Sequence, residues 1–216
     1  RGKRFLYRTA ASFVQVRAGI SPRALLAPSD LQMAPDGGGL IVVGSYVPRS
    51  TQQVNALLST TDMSRAEINV NSLLDDRRRD DEIWRVVKKA EQTLQQGKDM
   101  LLFTGRQLVT GKDSESNLHI GQKISQGLID IVQRIQIAPR YILAKGGITA
   151  SDIATLALNV KKARVLGQIL PGVPVWQLGT ESRFAGVAYI VFPGNVGDDQ
   201  ALFEVVKQLQ PKVERK

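Results

Sequence analysis

Three apolar runs of the chain end in glycine beside a hydroxyl residue: Gly44-Ser45, Thr104-Gly105 and Gly146-Gly147-Ile148-Thr149. A further glycine pair brackets the loop Gly194-Asn195-Val196-Gly197. At the carboxyl ends of strands in an open α/β sheet, such glycines let backbone N–H groups approach a phosphate. The helix N-terminus that follows favours the negative charge. Glycine serves any tight strand-to-helix turn, so one of these sites alone would mean little; together they point to phosphate or nucleotide binding. Two better-known phosphate motifs fail. Gly105 to Lys112 has five residues between its glycines where a Walker loop has four, and Asp113 stands where the magnesium-binding Ser or Thr belongs. Gly37-Gly38-Gly39 precedes an apolar run, whereas a dinucleotide fingerprint follows one.

The rest of the chemical inventory is thin. The 216 residues contain no cysteine and one histidine, His119. That closes off thiol nucleophiles, thiolate metal sites and Ser-His-Asp triads, leaves no metal ligands to name, and makes His119 a surface or satisfied polar residue. Asp75 and Asp76 flank Arg77-Arg78-Arg79, with Asp80, Asp81 and Glu82 beyond, so a solvated, ion-paired face is expected there instead of an acid/base pair. Trp84 and Trp176 are expected as core or edge residues. The formal net charge is +9, but Arg1, Lys3, Arg4, Arg8, Arg17 and Arg23 supply six of those charges in an acid-free opening. The body is nearly balanced and its few aromatics are not interleaved with basic residues, which argues against nucleic acid as a partner. No apolar run reaches the roughly 18 residues of a bilayer span, and the opening lacks the apolar block of a secretory signal. A soluble, cytoplasmic protein with no membrane partner is expected.

Apolar runs alternate with amphipathic stretches, which predicts an α/β fold: a mostly parallel or mixed sheet with helices on both faces and glycine loops at the carboxyl ends of strands. Strands are expected at 40–44, 68–70, 99–105, 141–144, 163–170, 173–177 and 187–192. Helices are expected from Ser50 or Thr51 to about 59, then over 81–96, 116–136, 151–158 and 198–209. Pro- and Gly-rich residues 28–39 read as a linker, residues 1–27 as the C-terminal remnant of a preceding domain, and 40–216 as the main domain.

Four stretches in register carry a resemblance: Gly44 to Gln53, Lys145 to Thr149, Pro171 to Pro174, and Gly194 to Gly197. Together they resemble the C-terminal, nucleotide-binding domain of the four-carbon acid sugar kinase family over about residues 40–209. Tyr7 to Val14 is similar to the end of that family's sugar-acid-binding domain. The wording is most like the plant proteins that fuse this region to dehydrogenase-like and aldolase-like domains. The resemblance implies an ATP- and Mg2+-dependent phosphotransferase acting on tetronate-type or oxo-tetronate-type sugar acids, with a homodimer possible. It implies nucleotide contacts at Ser45, Gly146, Gly147, Ile148, Thr149, Gly194, Asn195 and Gly197. The catalytic base is implied to lie in the sugar-acid-binding domain, so this chain alone would bind ATP without transferring phosphate. Two positions depart from the family pattern. Ile148 stands where an acid is usual, and Phe192-Pro193 precedes Gly194 where Lys-Ser is common. Lys145 is a candidate to supply the lost cation, and a degenerate, regulatory or structural module is the alternative reading.

Overall fold

The computed structural model describes residues 2, 4–44, 47–105 and 109–210. In chain order the elements are α1 (Ala11–Arg17), a 3-10 turn (Pro28–Leu31), β1 (Leu40–Val43), α2 (Pro48–Thr60), β2 (Ser64–Ile68), α3 (Val70–Leu74) and α4 (Arg79–Gln95). Then follow β3 (Met100–Thr104), α5 (Ser114–Arg134), β4 (Tyr141–Lys145), α6 (Gly147–Asp152), a π-helical turn (Ile153–Ala157), β5 (Ala163–Leu170), β6 (Val173–Leu178), β7 (Ala188–Phe192) and α7 (Ala201–Leu209).

The strands form one mixed sheet in the order β2-β3-β1-β4-β7-β6-β5. β2, β3, β1, β4 and β7 run parallel, and β6 and β5 complete the sheet in antiparallel pairing. This is the mixed α/β sheet that the alternating apolar runs predict. The central strands are apolar along most of their length because helices cover both faces, with Thr104 and Lys145 as polar residues at the carboxyl ends of β3 and β4. Leu40, Val42, Ile142 and Ala144 pack under α4, α5 and α6, while Ile41, Val43, Leu143 and Phe192 pack under α2 and α7. Successive side chains of one strand thus feed two different cores.

That order creates the place for a ligand. β1 and β4 are neighbours, yet β1 is followed by α2 on one face and β4 by α6 on the other. Where two adjacent parallel strands send their connections to opposite faces, the backbones diverge and leave a crevice at the carboxyl edge.

Several boundaries differ from the sequence-based expectation, each for a local reason. α2 begins at Pro48, not at Ser50 or Thr51: proline takes the first turn, where its missing N–H is no loss, and Ser50 lies inside the helix. The strand expected at 68–70 is β2 at Ser64–Ile68, because Asn69 accepts from the Ser72 amide and caps α3. The helix expected from residue 151 starts at Gly147, immediately after Gly146. The terminal helix starts at Ala201, after Asp198 accepts from the Gln200 amide. α1, which buries no residue, is not anticipated by the pattern.

Residues 28–39 pack against the amino edge of the sheet. Leu31 is buried, the Gly38 carbonyl accepts from Arg140 N at 2.8 Å, and the Gly39 amide donates to Asp99 Oδ1 at 2.6 Å. A Cβ on Gly38 would collide with the Lys98 carbonyl, and one on Gly39 with the Tyr141 ring. Preceding residues stay outside: Phe5, Leu6, Tyr7 and Val16 are exposed, and Leu26 N reaches the β5 edge at Gln168 O, 2.8 Å. Gly38→Ala is therefore expected to lower stability by about 1–3 kcal/mol, the usual cost of forcing extra volume against backbone, checked by urea denaturation.

Candidate functional site

The crevice is built from the ends of β1, β4 and β7. Val43 and Lys145 are register partners, as are Lys145 and Phe192, so the three strands stop level with one another. Gly146 then turns the chain with φ 116°, a conformation that L side chains rarely adopt. Its amide donates to Phe192 O at 2.8 Å, and its carbonyl accepts from Ala150 N at 2.8 Å. α6 starts at once, and the amides of Gly147, Ile148 and Thr149 fall in its first turn, where no intrahelical acceptor exists. The buried Tyr189 hydroxyl donates to Ala150 O at 2.7 Å and ties this turn to β7. Burial pushes the Tyr189 pKa strongly upward, so it remains a donor. Gly44 completes the junction: a Cβ there would lie 2.5 Å from Thr149 Oγ1.

Between α5 and α6 this leaves a cleft of about 440 Å³. Gly44, Gly146, Gly147, Ile148 and Thr149 form one wall, and Leu118, Gln122, Ile124 and Leu128 of α5 form the other. Asp152 is the single acid among its lining residues, and Ser125 Oγ donates to Asp152 Oδ2 at 2.6 Å. A mostly apolar slot with a few convergent polar groups is the usual form of a small-ligand site. A larger depression of about 750 Å³ lies beside the ends of β2 and β3. Two of its charged groups are engaged with each other: Arg85 pairs with Glu82 at 2.7 Å, and Glu82 Oε1 also accepts from Asn69 N.

On the other face of the sheet, the Lys145 side chain is fully buried. Its Nζ donates to Pro193 O at 3.1 Å and approaches Gly194 O at 3.5 Å, and it sits 4.1 Å from the centre of the Phe192 ring. Among the described residues no carboxylate pairs with it. Burial, with the nearby Arg49 charge adding to it, lowers its pKa to about 8. Two side chains of α2 reach the same loop. Ser50 Oγ donates to Gly194 O at 3.2 Å, and Gln53 Nε2 donates to Val196 O at 3.0 Å and Asp198 O at 2.5 Å.

The structure thus brings Gly146, Gly147, Ile148 and Thr149 together in the cleft wall. Gly194, Asn195 and Gly197 lie on the adjoining β7–α7 loop and do not line that cleft. Ser45 lies outside the described residues. Ile148 is 75% exposed at the cleft, and Lys145 delivers a cation to the loop from the neighbouring strand. Ser50, Gln53 and Asp152 join the candidate site, and sequence reasoning gave none of them a role there. For the first two a signal existed: Ser50, Gln53, Val54 and Leu57 share one face at helical spacing, so two polar residues had to be buried with two apolar ones. Asp152 left no comparable trace. His119 is exposed on α5. Asp75, Asp76 and Asp80 pair with Arg78, Lys123 and Arg134, as a solvated face requires. Among the described residues no group of three or more His, Cys, Asp or Glu converges as a metal site, and no helix is long and apolar enough to cross a membrane.

Comparison with known proteins agrees with this geometry. Residues 40–202 match the family described as nucleotide-binding C-terminal domain. The chain belongs to that family, which bears out the resemblance to the nucleotide-binding domain of four-carbon acid sugar kinases. A Bordetella bronchiseptica protein of the family DUF1537, solved as a domain-swapped dimer with bound citrate, superposes with TM-score 0.66 at 21% identity, covering 81% of this chain and 41% of that one. A Salmonella typhimurium protein described as a putative tRNA synthase superposes with TM-score 0.64 at 15% identity, covering 85% and 43%. A Haemophilus influenzae DUF1537 protein gives 0.57 at 15%, covering 79% and 40%. The chain thus spans about two fifths of each neighbour's length. No curated protein matches the sequence.

The Lys145 environment makes a pH prediction. The unfolded chain keeps the lysine proton up to its ordinary pKa of 10.5, whereas the folded chain releases it at about 8. Between those values the unfolded state binds more protons, so stability should rise as pH climbs through that window. Lys145→Met should abolish the rise and leave stability near pH 7 unchanged or higher by about 1 kcal/mol, since apolar replacement of a buried charge is often neutral or favourable. Urea melts across the window check both.

Proposed function

We propose that this domain binds ATP across the carboxyl edge and presents its terminal phosphate to a small sugar acid, as one half of a kinase with an alcohol group as acceptor. The observation that carries the reading is the convergence of the Gly44, Gly146 and Gly194 turns at the point where β1 and β4 diverge, in a chain of a nucleotide-binding family. The base and ribose fill the slot against Leu118, Ile124, Leu128 and Ile148, where Asp152, held by Ser125, accepts from ribose hydroxyls. The phosphates lie toward the first turn of α6 and the β7–α7 loop, whose amides stabilise charge without covalent chemistry, as phosphoryl transfer requires.

Mg2+ favours phosphate and water oxygens with one or two carboxylates. The slot offers one carboxylate, so the chain's own residues do not form a magnesium cage; the ion would be carried on the triphosphate. The acceptor and the base that activates it are assigned to a sugar-acid-binding domain of which residues 1–27 are the end. Citrate bound to the Bordetella neighbour is a small organic acid, which supports that substrate class, and that neighbour's domain-swapped dimer supports a homodimer for the parent protein. A regulatory, non-catalytic module is the second reading, favoured by the exposed Ile148 where a carboxylate is usual in the family.

Calorimetric titration with ATP and Mg2+ should give saturable binding and no phosphate transfer by the chain alone. A Cβ added at Gly147 would meet no heavy atom within 4 Å, and the backbone there needs no positive φ. Gly147→Val should therefore fold normally, fill the slot and weaken ATP at least about tenfold, equivalent to roughly 1.4 kcal/mol. Absence of wild-type binding at millimolar ATP would defeat the proposal.

A further inference from the structure

We propose that Lys145, Ser50 and Gln53 are positioning residues that turn the β7–α7 loop inside out, so that the amides of Gly194, Asn195 and Gly197 form a receptor for phosphate oxygens. The inference deepens the nucleotide-binding reading and rests on it.

Of the eight buried polar or charged side chains among the described residues, these three send their donors to one short loop. They take the carbonyls of Pro193, Gly194, Val196 and Asp198. In a planar trans peptide the C=O and the N–H of the next residue point in opposite directions, and the described chain has no cis bond. Pulling the Pro193, Gly194 and Val196 carbonyls in toward the sheet and α2 therefore turns the Gly194, Asn195 and Gly197 amides outward. The hydrogen bonds among described residues give none of these three amides an acceptor. Asn195 and Gly197 are exposed and Gly194 is half-buried at the carboxyl edge, so the loop is open to a ligand. Outward N–H groups in succession make an anion-binding concavity.

The charges around the loop favour an anion as well. Asp199 is paired with Arg49 at 3.2 Å, and Asp198 Oδ1 accepts from the Gln200 amide at 3.0 Å. Among the described residues, Lys145 is left as a cation at this loop without a carboxylate. Its carbonyl partners solvate it but do not neutralise it, so a phosphate on the outer side of the same peptides adds the missing charge and strengthens their dipoles. Leaving a charge buried without a counterion is costly in the ligand-free protein, and a structural loop would be held as well by apolar packing.

The test compares ATP, tripolyphosphate and adenosine on the wild-type chain, Lys145→Met, Gln53→Leu and Gln53→Glu, by calorimetry and by amide chemical shifts. In the wild type, ATP and tripolyphosphate should each shift the Gly194, Asn195 and Gly197 amides, and adenosine should not. Lys145→Met and Gln53→Glu should weaken ATP by about tenfold or more while leaving adenosine affinity unchanged, a split that a merely structural role would not produce. Gln53→Leu, which removes the donor without adding an acceptor, covers the case in which the glutamate variant does not fold. Equal losses for ATP and adenosine, or ATP binding that leaves the three amides unmoved, would overturn the inference while the nucleotide site stands. Tripolyphosphate shifts without any adenosine binding would keep the inference and defeat the adenine slot. Silence of the wild type toward all three ligands would overturn both.

Discussion

A lysine ammonium, with no carboxylate partner among the described residues, sits at the end of the central strand, solvated by two carbonyls and the face of an aromatic ring. Taking that charge out of water is unfavourable by several kcal/mol unless its donors are used. The available acceptors are main-chain carbonyls of the loop that follows β7, so the loop has to present them inward. That requirement ties the end of β4 to the turn after β7. Ser50 and Gln53 extend the tie to α2, which descends from β1. Three strands that their backbone register already sets level are thereby joined through side chains to one loop, with the glycine turns at the same edge.

The sheet order determines why the candidate site lies at that edge and not the opposite one. With β1 flanked by β3 and β4, and the helices after β1 and β4 on opposite faces, the backbones part at the carboxyl ends. Glycine at position 44 keeps the parting narrow by admitting Thr149, and glycine at 146 lets α6 begin without an intervening loop. The opposite edge is sealed: Gly38 and Gly39 lie so close to Lys98 and Tyr141 that no side chain fits. Glycine-rich stretches at the two edges therefore do different things, one opening backbone to a ligand and the other closing backbone against backbone.

Much of this was legible in the sequence, and what was not has physical reasons. The buried parallel strands announced themselves as unbroken β-branched and leucine runs, as at 40–43 and 141–144, because both faces are covered. The long amphipathic α5 did so through Ile124, Leu128 and Ile131. The start of α6 did not, since glycine at its first turn reads as a loop, and the helix is set by the Gly146 turn and by the Tyr189 hydroxyl from another strand. Residues 28–39 carry a linker's composition, yet Leu31 is buried in the core and Gly38 and Gly39 pack where no side chain fits. The glycines of the cleft were visible because their chemistry is local. Ser50, Gln53 and Asp152 were not, because their partners lie 27 to 145 positions away and only folding brings them within reach.

The central claim is that a nucleotide lies across the β1, β4 and β7 ends, with its base between α5 and α6 and its phosphates toward the loop at Gly194. A crystal structure with a non-hydrolysable ATP analogue tests it most directly. The account predicts the purine against Leu118 and Ile148, a ribose hydroxyl within hydrogen-bond distance of Asp152, and phosphate oxygens on the Gly194, Asn195 and Gly197 amides. A nucleotide seated instead in the depression between Glu67, Glu82 and Arg85, or phosphates turned away from the β7–α7 loop, would contradict it.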